Sequence, residues 1–287
     1  MDQAYKLRNI VKAENQINIS NAKVITITSG KGGVGKSNMA VNLAVHFRNM
    51  GKRVIIFDAD FGLANVEVMF GTVPKYNLSK VLSGEMRIED IITKGPMDIG
   101  FISGGSGIIG LNNLDKAQVD YLISNLSRLN ELTDILIIDT GAGVSDNVLD
   151  FVLSSPEVLL VTTPEPSSLT DSYSLVKALY KSPDFIKNGT NVRLVANKVN
   201  SKEEAMQVYD KIKTVTGKFL NGDIKYLGMV PQDSALEKAV RSQKIVSIVN
   251  PGAKSSKAFL EIAGELLQEK ITYRWGISQL FSSFINR

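Results

Sequence analysis

The chain has 287 residues, 44% of them hydrophobic, which is ordinary for a globular protein with a sizeable core. There is no cysteine, so disulfides, thiolate-held zinc, iron–sulfur clusters and a cysteine nucleophile are excluded together. The net charge of +4 is a mild basic bias that suits an anionic surface without demanding one. No apolar run approaches the ~20 residues that a membrane-spanning helix needs. The N-terminus, "MDQAYKLRNIVKAENQ", lacks the apolar stretch of a signal peptide, so a cytoplasmic protein is expected.

In chain order, short Val/Ile-rich runs read as strands: 23–29, 53–58, 97–103, 134–140, 157–163, 191–197 and 224–230. They are mostly continuous rather than alternating, as in strands covered on both faces. Amphipathic patterns at 36–49, 115–131, 145–154, 168–180, 202–217 and 234–242 read as helices between them. Alternation of this kind predicts an α/β fold with one doubly wound, mostly parallel sheet flanked by helices. It divides the chain into an N-terminal segment 1–20, a nucleotide domain 21–256 and C-terminal helices 257–287. The single His46 lies in the first helix, where a packed or surface histidine is expected rather than a catalytic one.

The first strand runs into "GKGGVGKS", which fits G-x-x-x-x-G-K-[ST] between a β-branched strand and a helix. Glycines let such a loop curl its N–H groups and the helix N-terminus toward phosphate oxygens. The predicted nucleotide contacts are Gly30, Lys31, Gly32, Gly33, Val34, Gly35, Lys36, Ser37 and Asn38. Lys36 is expected to neutralise the β- and γ-phosphates, and the Ser37 hydroxyl to ligate Mg²⁺ directly. Further along, Asp58 and Asp139 each stand at the end of an apolar strand, where a carboxylate can hold the metal through water.

The second lysine of the loop, Lys31, makes the sequence resemble the deviant Walker A ATPases of the MinD/ParA family. The resemblance covers most of residues 23–256. It implies a P-loop NTPase fold, ATP and Mg²⁺ as nucleotide and cofactor, slow switch-type hydrolysis to ADP and phosphate, and an ATP-bound homodimer. Lys31 is then the residue that crosses to the partner's nucleotide, where a cation beside a developing phosphate charge counts most. "FDADFGLANVEVMFG" (57–71) resembles the family's switch I, which makes Asp60 the residue that orients the attacking water and puts it with Lys31 and Lys36 in the catalytic set. "ILIIDTGAG" (135–143) resembles Walker B entering switch II, with Gly141 and Gly143 as pivots. "VANKVN" (195–200) and "VPQD" (230–233) imply Asn197, Lys198 and Pro231 around adenine. Asn200 stands where a GTPase has its guanine-reading aspartate.

The two ends narrow the resemblance. "DQAYKLR" is similar to the activator motif DQA-xx-LR of the flagellar number-and-placement group within that family (FlhG, also YlxH or FleN). Asp2, Gln3, Ala4, Leu7 and Arg8 would then dock on an FlhF-type GTPase, with Gln3 reaching its nucleotide. At 100° per residue, Ile277, Leu280, Phe281, Phe284 and Ile285 fall on one ~140° arc. With Tyr273 and Trp275 they predict an amphipathic anchor over 273–287 for an anionic membrane surface. The expected localisation is therefore cytoplasmic, with reversible attachment to the inner face of the cell membrane. Flagellar basal-body components are further possible partners, and no specific nucleic acid is expected. The alternatives are a MinD-type division-site ATPase and a DNA-binding ParA-type partition ATPase.

Overall fold

The computed structural model describes residues 22–60, 65–105, 121, 125–183, 185, 189–268 and 277. Its strands are β1 (Lys23–Ser29), β2 (Val54–Ala59), β3 (Thr93–Lys94), β4 (Gly100–Ser103), β5 (Ile135–Ala142), β6 (Glu157–Thr162), β7 (Asn191–Val199) and β8 (Lys225–Pro231). They form one sheet in the order β3-β4-β2-β5-β1-β6-β7-β8. Every pairing is parallel except β3 with β4. The central strands are buried residue after residue, as their continuous apolar runs require.

The long helices are α1 (Lys36–Asn49), α6 (Asp146–Leu153), α7 (Pro166–Lys181), α8 (Lys202–Leu220), α9 (Ser234–Arg241) and α11 (Lys254–Gln268). Short helices α2 (Asn65–Phe70), α3 (Ser79–Leu82), α4 (Ile88–Ile91), α5 (Leu129–Leu132) and α10 (Val246–Val249) complete the described set. Helices α1, α9, α10 and α11 share one core with one face of the sheet, built around Ile25, Leu43, Phe47, Phe101 and Phe259. On the other face, α6, α7 and α8 pack over β6 and β7. A third cluster joins α3, α4 and α5 to β2 and β5, and it includes Ile277. Each fully buried Val, Leu or Ile contributes about 1.5–3 kcal/mol of transfer free energy to this arrangement.

Three expectations need correction. The strand expected at 97–103 begins at Gly100, because Pro96–Asp98 form a 3-10 turn in which Met97 and Asp98 take φ of 57° and 56°. The division expected at 256/257 falls inside α11, whose Phe259, Ile262, Ala263 and Leu266 are buried in the main core. No strand-like run follows α11 in the sequence reading, so strand–helix alternation does not flag it, although its i, i+3, i+4, i+7 spacing does. Ile277, expected on a lipid-facing stripe, is fully buried against residues such as Val24 and Leu129. The expected helix 115–131 lies mostly outside the described residues. So do Asp2, Gln3, Ala4, Leu7 and Arg8 at the N-terminus, and Tyr273, Trp275, Leu280, Phe281, Phe284 and Ile285 at the C-terminus.

Candidate functional site: a nucleotide cleft at the carboxyl ends of the strands

The loop between β1 and α1 is glycine-rich for steric reasons that the structure makes explicit. Gly35 has φ +103°, and a Cβ there would strike the Asn197 amide. A Cβ on Gly30 would collide with the α7 backbone at Asp171 and Ser172. The loop is therefore wedged between α7 and the end of β7, with its shape set by its neighbours as well as by its own torsions.

Two contiguous clefts open over it. The phosphate half, about 520 Å³, is lined by Gly32, Gly33, Gly35, Lys36, Ser37 and Asn38, by Asp60 and α2, and by the α9–α10 junction. The base half, about 510 Å³, is lined by Gly33, Gly35, Asn38, Asn197, Lys198, Pro231 and one side of α9. The three residues expected near adenine are thus brought to the loop. Two of them also brace it: Asn197 donates Nδ2–H to the Val34 carbonyl at 2.6 Å, and Lys198 donates Nζ–H to the Gly33 carbonyl at 2.9 Å. Lys198 holds a left-handed φ of 58°, uncommon for a long side chain. Sequence reasoning missed Gln232, Asp233, Leu236, Glu237, Val240 and Arg241 on the base side. It also missed Asn65, Val68, Met69, Ala142, Gln243 and Lys244 on the phosphate side.

The two loop lysines are held differently. Lys36 is buried and donates to the Ser29 hydroxyl at 3.0 Å. Burial lowers its pKa, against the pull of Asp139 and Asp60. Lys31 lies at the surface, donating to Glu165 Oε2 at 2.9 Å and Ser167 Oγ at 2.7 Å. That contact holds the Glu165 carboxyl below its usual range.

Asp58 and Asp139 are paired in register on β2 and β5. Asp58 Oδ1 accepts the Asp60 N–H at 3.1 Å, and Oδ2 accepts the Val66 N–H at 3.3 Å. Burial, then the Asp139 charge, pushes Asp58 up to about 8. Asp139 is wholly buried and pushed up to about 6, chiefly by burial. Neither of its oxygens has a well-formed hydrogen bond, although Ser37 and Lys36 lie near enough to oppose that rise. Asp60 is held by Asn65, whose Nδ2–H it accepts at 3.4 Å. Two buried carboxylates beside a hydroxyl, one with unspent acceptors, fit a hydrated divalent cation. Ser37 would ligate Mg²⁺, and Asp58 and Asp139 would hold its waters.

A family model for ParA, described as an NUBPL iron-transfer P-loop NTPase, matches residues 20–267. The chain belongs to the ParA/MinD family of P-loop NTPases. ATPase activity with ATP and Mg²⁺ comes with that membership. The iron-transfer part of the description finds no thiolate ligand here, since the sequence contains no cysteine. The chain is 39% identical to the antiactivator FleN of Pseudomonas aeruginosa, over 84% of this chain and 85% of that one. It is 35% identical to the flagellum site-determining protein YlxH of Helicobacter pylori, over 93% of this chain and 91% of that protein. Among solved structures, the cell division ATPase MinD of Pyrococcus furiosus aligns with a TM-score of 0.67 at 26% identity, over 86% of this chain and 99% of that one.

Proposed function

We propose that this ATPase is a dimerising switch that controls flagellar number and placement. In this reading its ATP-bound homodimer associates with the inner face of the cell membrane, and its N-terminus stimulates an FlhF-type GTPase. The observation that carries the dimer is the separation of the two loop lysines. Lys36 already occupies the buried phosphate position, while the Lys31 side chain is about one-third exposed, with its ammonium tied to Glu165 and Ser167. A surface cation in a phosphate loop serves a nucleotide best across an interface that then excludes water. Mg²⁺ would supply charge neutralisation of the phosphates. Lys36 would hold them, Asp60 would orient water, and Lys31 would exchange Glu165 for the partner's nucleotide.

The flagellar assignment is supported by the FleN and YlxH relatives together with the "DQAYKLR" segment. Burial of Ile277 in the monomer core supports an anchor that is stowed before it is used, since a residue cannot face core and lipid at once. One such amphipathic segment binds lipid marginally. Two on a dimer gain avidity on the order of 100-fold or more.

The test is size-exclusion chromatography with ADP and with a slowly hydrolysed ATP analogue, repeated as co-sedimentation with anionic liposomes. The analogue should produce a dimer that pellets, while the ADP form and Phe281→Glu stay in the supernatant. Equal pelleting in both nucleotide states would break the coupling. A peptide of residues 1–20 should raise the hydrolysis rate of an FlhF-type GTPase, and Gln3→Ala should remove that effect.

A further inference from the structure

The α9–α10 junction carries a cation that none of the roles above uses. After α9 the chain turns through Gln243, whose φ of +53° is left-handed for a residue with a side chain. The turn is closed by the Gln243 N–H on the Val240 carbonyl at 3.0 Å and the Lys244 N–H on the Ala239 carbonyl at 2.9 Å. Three residues later, the Ser247 N–H donates to Asn42 Oδ1 at 3.0 Å, and Asn42 Nδ2–H donates to the Asn38 carbonyl at 2.8 Å. Asn42 is fully buried on α1, one turn beyond Asn38. The junction is thus pinned to the helix that begins in the phosphate loop, and the strained turn sets Lys244 into the phosphate half of the cleft.

The Lys244 side chain makes no ion pair or hydrogen bond among the described residues. Gly33, Gly35, Asn38 and Val240 line both halves of the cleft, so a nucleotide passing from loop to base crosses beside them. The phosphate joined to the nucleoside is the α-phosphate, so in a nucleotide laid along the two halves it would come nearest that crossing. Lys36 serves the far end of the chain, toward the paired carboxylates, and Lys244 stands on the same side as Val240.

We propose that Lys244 is a nucleotide-positioning residue that clamps the α-phosphate of bound ADP or ATP. The α-phosphate is common to both, so the clamp acts alike in both nucleotide states, which distinguishes it from a γ-phosphate sensor.

The experiment is calorimetric titration of the full chain with Mg-ADP and with a slowly hydrolysed Mg-ATP analogue. Lys244→Ala and Lys244→Met should weaken both nucleotides by the same factor, roughly tenfold for one charge-assisted contact, and Lys244→Arg should recover most of it. Lys238→Ala, one charge removed from the neighbouring α9 but outside both clefts, should leave both affinities unchanged. Adenosine competition should be the same for all variants. Unaltered ADP affinity in Lys244→Met would overturn the proposal. A loss confined to the ATP analogue would also overturn it, placing Lys244 at the γ-phosphate or between subunits. An equal loss in Lys238→Ala would reduce the effect to net charge and overturn it as well.

Discussion

The two ends of the sheet bury carboxylates and treat them in opposite ways. At the amino ends of the strands, Glu157 on β6 is fully buried, but Arg193 of the adjacent strand lies 2.7 Å away. Asn191 adds its amide at 3.4 Å to each carboxylate oxygen. At the rim of that same end, Arg53 grips Asp134 at 2.8 Å and takes the Glu131 carbonyl at 2.6 Å. At the carboxyl ends, Asp58 and Asp139 stand in register on neighbouring strands, two like charges with Lys36 as the buried cation nearby. Burial raises both carboxyls, to about 8 and about 6. One end is electrostatically complete as folded; the other is complete only with the cation its ligand brings.

The largest effect should come from removing Lys36, the buried cation described at the open end. Lys36→Ala leaves Asp58 and Asp139 facing each other and the phosphates without their principal donor. Two charge-assisted contacts of about 1.5–3 kcal/mol each predict roughly a 100- to 10,000-fold loss of ADP affinity. Calorimetric titration checks it, and retention of micromolar binding would mean that the charge balance has been misassigned.

The closed end should respond in stability instead. Arg193→Ala strands a fully buried Glu157 and should cost about 3–5 kcal/mol in urea unfolding. The increase in thermal midpoint on adding Mg-nucleotide should persist. Replacing both partners, Arg193→Met with Glu157→Gln, should recover most of the loss, because an uncompensated charge rather than a missing attraction sets the penalty.

At the open end the sign should reverse. Asp139→Asn removes a buried like charge whose oxygens are unbonded, so the nucleotide-free protein should gain on the order of 1 kcal/mol. The additional stabilisation that Mg²⁺ gives over nucleotide alone should shrink. A variant less stable than wild type without ligand would show that Asp139 is paired in the free protein after all.

How much of this the sequence discloses follows from how local each feature is. The loop from Gly30 to Ser37 is legible because one tight turn must supply glycines, a lysine and a hydroxyl at fixed spacing. The strand ends Asp58 and Asp139 are legible because a carboxylate closing an apolar run is conspicuous. The braces from Asn197 and Lys198 onto the Val34 and Gly33 carbonyls are not, since each spans more than 160 residues and depends on β7 lying next but one to β1 in the sheet order. Val240, Gln243 and Lys244 are hidden for the same reason. Nothing within α9 announces that its end overhangs the phosphate loop, because Asn42, from another part of the chain, places it there. Two-residue β3 and four-residue α10 are too short for any period to register.

The smallest effect concerns His46, which breaks the pattern of the closed end. It sits in the last turn of α1, away from the cleft, and is buried with the Ser256 hydroxyl at 3.5 Å from its ring. Unlike Glu157 it has no opposite charge beside it among the described residues, and burial lowers its pKa against the smaller opposing effect of Ser256. In the unfolded chain the ring takes its proton as pH falls through about 6.5. The folded chain resists until lower pH, so the unfolded state then binds more protons. Stability is therefore complete above about 6.5 and declines as the medium is acidified below it, no more steeply than one proton allows, about 1.4 kcal/mol per pH unit. His46→Gln should flatten the decline between pH 6.5 and 5.5 in urea-unfolding midpoints, at a small constant cost from altered packing. If wild type and variant decline in parallel, other groups carry the acid sensitivity, and His46 is already charged within the fold.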